Sequence, residues 1–319
     1  MVTTIAGNGA AAVVNGPAMQ ASFHAPLDVA VAADGTIYVA DFNGHCIRKI
    51  ANGAVSTFAG SGTYDIINGN GVNASFKDPY RIALDGAGNL YVVDQVDTRI
   101  RKIATNADVT TYAGSATPGF LNGIAANAEF AVNAGGLATD ANGNVYLGDT
   151  FNERIRKISS NGTVSTFSGS GGEGFTDGDA SSATFRWPDG ITVDKDGNLY
   201  TAEQGNFGIR KIAPDGSTSK FAGGSYGTKD GNAANAQFNF IGDMVADKNG
   251  NLFVIDDNRI RMITPQGAVT TIAGSGKGYK DGDGSIALFA GPGGLGIDEQ
   301  GNIYVADIMN NRLRKVSHE

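Results

Sequence analysis

Six arginines, each preceded along the chain by an acidic residue, are the side chains whose type and spacing are best suited to chemistry. Acid and arginine stand seven residues apart, except for Asp256 and Arg261, which stand five apart. A ring of free cations would bind anions, whereas paired charges would tie neighbouring strands together. Because charges removed from water are costly unless they are paired, a matching acid for every arginine favours the structural role. The pairs are Asp41 and Arg48, Asp94 and Arg101, Asp149 and Arg156, Glu203 and Arg210, Asp256 and Arg261, and Asp307 and Arg314.

Signals for catalysis are few. His24, His45 and His318 lie in unrelated sequence contexts, and the chain has no nucleophile elbow, zinc-protease motif or phosphate-binding loop. The single cysteine, Cys46, excludes an internal disulfide and lies inside a strand-like segment, which favours a buried thiol over a nucleophile. No catalytic residue is therefore predicted.

The charged pairs recur because the chain consists of six copies of one unit of 51 to 55 residues. Each copy contains four short strand signals separated by Asn-Gly or Asp-Gly turns, which in the first copy are 29–31, 37–40, 47–50 and 55–58. Four antiparallel strands in about 50 residues, without a helical period, are typical of a propeller blade. We predict an all-β, six-bladed β-propeller of four-stranded antiparallel blades. It forms one domain over residues 1–319, with repeats at about 8–60, 61–114, 115–169, 170–223, 224–274, and 275–316 plus 1–7.

The two ends of the chain complement each other. The last copy stops after its third strand, at residues 312–316, and the chain begins with an isolated strand-like segment at residues 2–5. We predict that the N-terminal strand completes the sixth blade, because this pairing closes the ring and removes an open sheet edge.

The repeated motif Asp-x-x-Gly-Asn-Leu-Tyr-Val-x-Asp, followed by Arg-Ile-Arg-Lys-Ile, resembles the NHL-repeat family. Residues 90–94 with 99–103, and residues 145–149 with 154–156, carry the motif most clearly. The resemblance extends over essentially the whole chain and implies a six-bladed β-propeller. The family includes protein-binding modules, RNA-binding modules, sensor domains and a lyase, so the resemblance implies little about activity.

A second repeated element has Asn-Gly or Asp-Gly ahead of Ala-x-Phe. We interpret it as a turn that places each phenylalanine between two neighbouring blades. Residues 177–179 and 281–284 look like fragments of calcium-binding loops, but the further carboxylates of such a loop are missing. The phenylalanines are Phe23, Phe76, Phe130, Phe185, Phe238 and Phe289.

Charge and hydropathy restrict the partners. The net charge is −8 and the cations form no cluster, which argues against nucleic acid as a ligand. No apolar run approaches the roughly 20 residues of a membrane span. We expect a monomer of bacterial type at an extracellular, periplasmic or cell-surface location.

Positions that break the repeat on one loop face are the predicted ligand site. In propellers of this type, the loop leading into the innermost strand and the loop joining the second and third strands share that face. At the start of the innermost strand three copies have glycine, whereas Asp28, Arg81 and Asp243 stand in the others. Trp187, the only tryptophan, stands where other copies have Ala25, Asp78, Val132, Ile241 and Gly291. The predicted ligand-binding residues are Asp28, Tyr80, Arg81, Trp187, Asp189, Asp243, Phe42, Phe151, Phe207 and Phe240.

Two functions remain open at this site. The first is a non-catalytic binding or scaffold propeller without a cofactor, which engages a glycan, peptide or protein through the flat face of Trp187 and the guanidinium of Arg81, a group suited to carboxylates. The alternative is a metal-assisted hydrolase, lactonase or lyase at the axial mouth. There Asp28, Asp189 and Asp243 would hold calcium or magnesium, as carboxylates do in gluconolactonase-like propellers. In the non-functional interpretation, Asp28 and Arg81 form a salt bridge and Trp187 fills the junction between blades 3 and 4.

Overall fold

The computed structural model describes residues 1–317, so His318 lies outside the described part. Five single-turn 3-10 helices interrupt the strands, at Gly71–Asn73, Ala125–Asn127, Thr150–Asn152, Gln204–Asn206 and Ile308–Asn310. The strands are β1 (Val2–Ala6), β2 (Gly16–Pro17), β3 (Pro26–Val31), β4 (Ile37–Asp41), β5 (Cys46–Ala51), β6 (Ala54–Ala59), β7 (Gly69–Asn70), β8 (Pro79–Leu84), β9 (Leu90–Asp94), β10 (Arg99–Ile103), β11 (Asp108–Ala113), β12 (Gly123–Ile124), β13 (Leu137–Thr139), β14 (Val145–Asp149), β15 (Arg154–Ile158), β16 (Thr163–Ser168), β17 (Pro188–Val193), β18 (Leu199–Glu203), β19 (Gly208–Ile212), β20 (Thr218–Gly223), β21 (Gly231–Asn232), β22 (Ile241–Ala246), β23 (Leu252–Asp256), β24 (Arg259–Ile263), β25 (Ala268–Ala273), β26 (Pro292–Ile297), β27 (Ile303–Asp307) and β28 (Arg312–Val316).

These strands form six antiparallel sheets of four or five strands, which are the blades of a propeller. From the axis outward, blade 1 is β3-β4-β5-β6-β2 and blade 4 is β17-β18-β19-β20. The innermost strands β3, β8, β13, β17, β22 and β26 contact one another in that order, and β26 contacts β3. The ring is therefore closed, and the predicted all-β six-bladed fold is confirmed, with short fifth strands added to blades 1, 2, 3 and 5.

Closure occurs where the ends of the chain meet. Strand β1 pairs with β28 of blade 6, as predicted. Val2 is fully buried, donates its backbone N–H to the Gly282 carbonyl at 2.7 Å and accepts from the Gly282 N–H at 3.0 Å. The N-terminal strand thus covers an edge that would otherwise be open.

A phenylalanine and an arginine hold each blade to its neighbour. The six phenylalanines of the repeated Ala-x-Phe element are at most 1% exposed, and an arginine guanidinium lies 4.5 to 5.3 Å from each ring centroid. The predicted ion pair is present in five blades, at 2.6 to 2.9 Å. Blade 2 differs, because Asp94 accepts the backbone N–H groups of Lys77 and Asp78 instead of pairing directly with Arg101.

The Asn or Asp side chain of each Asn-Gly or Asp-Gly motif accepts a hydrogen bond from the repeated arginine of that blade. The distance from the guanidinium to the turn oxygen is 2.5 to 2.9 Å in all six repeats. The carboxylates that look like fragments of calcium loops, Asp177 and Asp281, are bound to Arg210 and Arg314 in this way. Within residues 1–317, no helix combines the length and the apolar character that crossing a membrane would require.

Candidate functional site

Five of the six innermost strands begin with an irregularity that directs side chains toward the axis. Proline starts four of the six, at a position where the missing N–H does not break the ladder. Directly after it the register shifts, for example between Pro79 and Arg81 and between Pro26 and Asp28. Such bulges re-aim the residues that follow. As a result Asp28, Arg81 and Asp243 face the axial channel.

Arg81 lies across the axis and separates two cavities. On one side is a channel of 220 Å³ lined by the inner strands, including the small residues Ala30, Ala83 and Gly296. On the other side is a funnel of 260 Å³ that opens on the loop face, which we call the axial funnel. The axial funnel is lined by Leu27, Tyr80, Arg81, Asp189, Gln204, Phe240, Gly242, Asp257, Gly291, Pro292, Gly293 and Ile308.

The Arg81 guanidinium is held by groups of the protein. Its Nη1 donates to the Gly293 carbonyl at 2.8 Å, and its Nη2 lies 3.6 Å from Asp189 Oδ2. The Tyr80 ring lies beneath it at 4.7 Å, and the Tyr80 hydroxyl lies 3.4 Å from the same Asp189 oxygen. Protein groups thus already contact Arg81, although its buried Nε has no hydrogen-bond partner among the described residues, and a role of Arg81 in binding a ligand carboxylate stays a prediction.

Asp28 and Asp243 connect consecutive blades rather than pairing directly with Arg81. Asp28 Oδ2 accepts the backbone N–H of Ile82 in the next blade at 2.8 Å. Asp243 Oδ2 accepts the backbone N–H of Leu295 in the next blade at 2.9 Å. Each carboxylate thus satisfies a buried donor of the neighbouring inner strand, which is a structural role.

The glycines at the start of other inner strands make room for these acids. A Cβ on Gly135 of blade 3 would lie 2.7 Å from Asp189 Oδ1 of blade 4. A Cβ on Gly294 of blade 6 would lie 2.7 Å from the Asp28 Cα and closer still to its carboxylate. A glycine at the start of one inner strand therefore leaves the space that the acidic side chain of the next blade occupies.

The axis carries an excess of negative charge. One guanidinium faces the three carboxylates of Asp28, Asp189 and Asp243, and the side chains of Arg81 and Asp189 are only 4% and 6% exposed. Burial, followed by repulsion from Asp243, raises the pKa of Asp28 well above its usual range. Burial also raises the pKa of Asp243. Although burial opposes its charge, Tyr80 and the carboxylates raise the pKa of Arg81. A cation or a hydroxyl is thus better matched to the axial funnel than an anion.

One carboxylate oxygen of Asp189, a residue that lines the axial funnel, lacks a partner. Asp189 Oδ2 accepts a hydrogen bond from Gln204 Nε2 at 2.7 Å. Asp189 Oδ1 is buried and has no hydrogen-bond partner among the described residues. An unsatisfied buried acceptor is costly, typically by about 1–3 kcal/mol.

The predicted aromatic residues lie on the same loop face but at different distances from the axis. Phe240 lines the axial funnel and is 55% exposed. Trp187 is 38% exposed, and Phe151 is exposed in the loop between β14 and β15. Phe42 and Phe207 are half-buried. Of these aromatic residues, only Phe240 is among the residues that line the axial funnel.

Trp187 and Phe240 occupy equivalent positions in blades 4 and 5. The Trp187 carbonyl accepts the N–H of Gln204, and the Phe240 carbonyl accepts the N–H of Asp257, the residue that corresponds to Gln204. The residue of blade 5 that corresponds to Trp187 is therefore Phe240 and not Ile241, because Ile241 starts its strand as Pro188 does in blade 4. Trp187 has a φ of 55°, a left-handed conformation that is uncommon for a bulky residue.

Glu153 and Gln204 were missed among the predicted site residues. Glu153 is buried, and its Oε2 accepts the Trp187 N–H at 2.8 Å, which supports the unusual backbone of Trp187. Burial raises the pKa of Glu153 to about 7. The available signal was its place in the repeat: in the equivalent left-handed position blades 1, 2, 4 and 6 have His45, Thr98, Phe207 and Asn311.

We expect Glu153→Gln to stabilise the protein more at pH 8 than at pH 5. The folded pKa of about 7 lies above the ordinary value of 4.5, so the folded state binds the proton more tightly than the unfolded chain. This stabilising contribution is complete below about pH 4.5 and is lost as the pH rises through about 7. Glutamine keeps an acceptor for Trp187 and does not ionise. Thermal melts at both pH values measure the effect, and an equal difference in Tm at both would contradict it.

The other reactive groups lie away from the axial funnel. Cys46 is buried, and burial raises the pKa of its thiol to about 12, so it is poorly suited to act as a nucleophile. The His45 ring bonds the Lys77 carbonyl through Nδ1 and contacts the Tyr64 ring edge-on. Over residues 1–317, no group of three or more His, Cys, Asp or Glu residues is arranged to hold a metal ion.

Comparison with known proteins supports the resemblance that the repeated motif indicates. Residues 23–50 match the sequence profile of the NHL repeat, which confirms the expected resemblance. The chain is 28% identical over 278 residues to Protein SUPPRESSOR OF QUENCHING 1, chloroplastic, of Arabidopsis thaliana, covering 80% of this chain and 26% of that protein. It is 25% identical over 370 residues to Teneurin-1 of Homo sapiens, covering 99% of this chain and 13% of that protein. The chain thus spans about a quarter of the first relative and about an eighth of the second.

Similar solved structures include binding proteins and enzymes. An auxiliary nutrient binding protein from Bacteroides ovatus has a TM-score of 0.74 at 19% identity, covering 100% of this chain and 76% of that one. A virginiamycin B lyase from Staphylococcus aureus has a TM-score of 0.61 at 14% identity, covering 100% of this chain and 99% of that one. At these identities the similarity establishes the propeller fold alone, and the fold is shared by proteins that bind and proteins that catalyse.

Proposed function

We propose that this six-bladed propeller, which carries an NHL repeat, is a non-catalytic binding module for a glycan, peptide or protein. The partner lies on the loop face and inserts a hydroxyl or amino group into the axial funnel. The observation that carries the proposal is the open axial funnel, whose lining combines the acidic Asp189 and Gln204 with the exposed ring of Phe240. A hydroxyl or ammonium donor would add a hydrogen bond to the carboxylate of Asp189, and an ammonium group would also reduce the excess of negative charge at the axis.

The exposed aromatic residues of the loop face favour a ligand with a flat or apolar part. Phe240 and Trp187 come from neighbouring blades and both expose ring surface. A sugar ring or an aromatic side chain that packs on them buries apolar area while its polar groups reach Asp189 and Gln204. This combination of a few polar groups with aromatic walls is the usual composition of small-ligand sites.

The location and assembly belong to the same proposal. The Bacteroides ovatus protein of similar fold is named an auxiliary nutrient binding protein. A module that binds an external nutrient or a surface glycan works outside the cytoplasm, so we propose an extracellular, periplasmic or cell-surface location and a monomer. The net charge of −8 keeps such a protein soluble and disfavours nucleic acid as a partner.

We expect Trp187→Ala and Phe240→Ala each to weaken binding at least tenfold with a change in Tm of only a few degrees. Both side chains are more than a third exposed, so their loss leaves no large cavity in the core. Glycan and peptide arrays provide the ligand, and calorimetry with the best hit provides the affinity. Ile124→Ala is the control, because Ile124 is 69% exposed on the outer strand β12. Unchanged affinity in both aromatic variants would refute the proposed surface.

The alternative, a calcium- or magnesium-assisted hydrolase, lactonase or lyase, rests on the three carboxylates at the axis. Asp28 and Asp243 already accept backbone hydrogen bonds, which leaves them fewer lone pairs for a metal. The two functions respond differently to chelation. A specific metal site raises Tm when calcium is restored after EDTA treatment, by mass action, whereas the binding module keeps the same Tm.

A further inference from the structure

A second cavity lies on the opposite face of the propeller, at the junction of blades 5 and 6. It has a volume of 610 Å³, within the range of about 300–1,000 Å³ that is usual for small-ligand pockets. The turn between β22 and β23 forms one side and the turn between β26 and β27 forms the other. Phe253, Met262 and Ile297 supply its apolar lining.

The apolar lining arises where blade 5 departs from the repeat. In the other five blades a tyrosine on the second strand faces a lysine on the third. In blade 5 the facing pair is Phe253 and Met262. This blade has therefore exchanged a hydroxyl for hydrogen and an ammonium group for a thioether at the cavity wall. The tyrosine–lysine pairs are Tyr38 and Lys49, Tyr91 and Lys102, Tyr146 and Lys157, Tyr200 and Lys211, and Tyr304 and Lys315.

The exchange also removes the tyrosine hydroxyl that donates a hydrogen bond to the turn aspartate in other blades. In blades 2, 3, 4 and 6 the turn aspartate accepts both an asparagine Nδ2 and the tyrosine hydroxyl, the latter at 3.0 to 3.3 Å. In blade 5 Asp247 Oδ2 accepts Asn251 Nδ2 at 2.8 Å, but Phe253 has no hydroxyl to add. Asp247 therefore lines the cavity with more acceptor capacity than its counterparts have.

The neighbouring junction provides an internal comparison. The corresponding cavity between blades 6 and 1 is 450 Å³ and is lined by Tyr304 and Lys315, the ordinary pair. The two cavities occupy the same place in successive repeats. The substituted pair in blade 5 is therefore one of the differences between their linings.

The rim of the larger cavity selects against anions. Asp247, Asp298 and Glu299 lie on it with a single cation, Lys248, whose Nζ is 3.4 Å from the Glu299 carbonyl oxygen. We propose that this cavity binds a small aromatic molecule, uncharged or cationic, that donates a hydrogen bond from a hydroxyl or amino group to Asp247. This second site is independent of the axial funnel and of the function proposed for it.

N-phenyl-1-naphthylamine is a suitable probe, because it is uncharged, aromatic and carries one N–H, and its fluorescence rises in apolar surroundings. We expect one saturable site on the wild-type protein. The double variant F253Y/M262K should bind at least tenfold more weakly with little change in Tm, because it restores the pair found in five blades. The matched control Y146F/K157M makes the opposite exchange in blade 3 and should leave the affinity of the site unchanged.

Three results would overturn the inference. They are absence of saturable binding to the wild-type protein, equal affinity in F253Y/M262K and the wild-type protein, and a tenfold loss of affinity in Y146F/K157M. The sulfonated analogue 1-anilinonaphthalene-8-sulfonate has the same rings and tests the role of charge. It should bind at least tenfold more weakly than the uncharged probe, and equal affinity would contradict the argument from the acidic rim.

Discussion

Deleting residues 1–7 should abolish cooperative folding or cause aggregation. The deletion removes β1 and leaves β28 as an open edge at the junction where the ring closes. It also removes the buried Val2 side chain and its two hydrogen bonds to Gly282. The expected loss is comparable to the whole stability of an ordinary domain, roughly 5–15 kcal/mol. Thermal melts and size-exclusion chromatography measure the outcome.

A circular permutant distinguishes the effect of losing strand β1 from the effect of altering the N-terminus. It joins residue 319 to Met1 through a short Gly-Ser linker and opens the chain at the exposed turn of Asp34 and Gly35. Because β1 keeps its place beside β28, this protein should fold. A truncated chain that melts like the wild type would show that β1 does not close the ring.

Arg156→Ala should destabilise the protein by about 3–5 kcal/mol, because it leaves a buried carboxylate unpaired. Arg156 and Asp149 are both fully buried, and their charged atoms are 2.6 Å apart. The guanidinium also donates to the carbonyls of Leu121 and Glu129 and to Asn122 Oδ1, at 2.8 to 3.1 Å. Urea unfolding measures the change in the free energy of unfolding.

Arg101→Ala is the matched control for the ion pair. Arg101 makes the same contacts to carbonyls and to an asparagine, but it has no direct pair with Asp94, both of whose carboxylate oxygens accept backbone N–H groups. Its removal should therefore cost less than the removal of Arg156. If the two substitutions cost the same, the direct pair with Asp149 is not the source of the stability. Ligand affinity should be unchanged in both variants, because neither arginine lines the axial funnel.

The fold was predictable because the same sequence pattern occurs in all six repeats. Six copies of the same strands, turns and charged pairs give independent support to one blade, and the isolated strand at residues 2–5 indicates where the ring closes. The ion pairs followed from the physical cost of an unpaired buried charge. The exception in blade 2 could not be foreseen, because it depends on which backbone N–H groups lie near Asp94.

The interior of the candidate site was less predictable. Asp28 is recognisable as a break in the repeat, but its bond to the N–H of Ile82 joins residues 54 positions apart in different blades. The match between Gly135 and Asp189 likewise depends on how one blade packs on the next. By contrast, the exchange of lysine for Met262 is visible in the sequence, since five of the six copies have lysine there. Its meaning emerges only when the cavity beside it is known.

The central claim is that a ligand occupies the loop face around the axial funnel, and Trp187 is the built-in reporter for it. It is the only tryptophan, it is partly exposed, and it stands on that face. The direct measurement is tryptophan fluorescence during titration with the best array hit, with acrylamide quenching at both ends of the titration. We predict a saturable change in emission with the same Kd as calorimetry, and weaker quenching in the complex. Binding detected by calorimetry without any change in the emission or quenching of Trp187 would contradict the account.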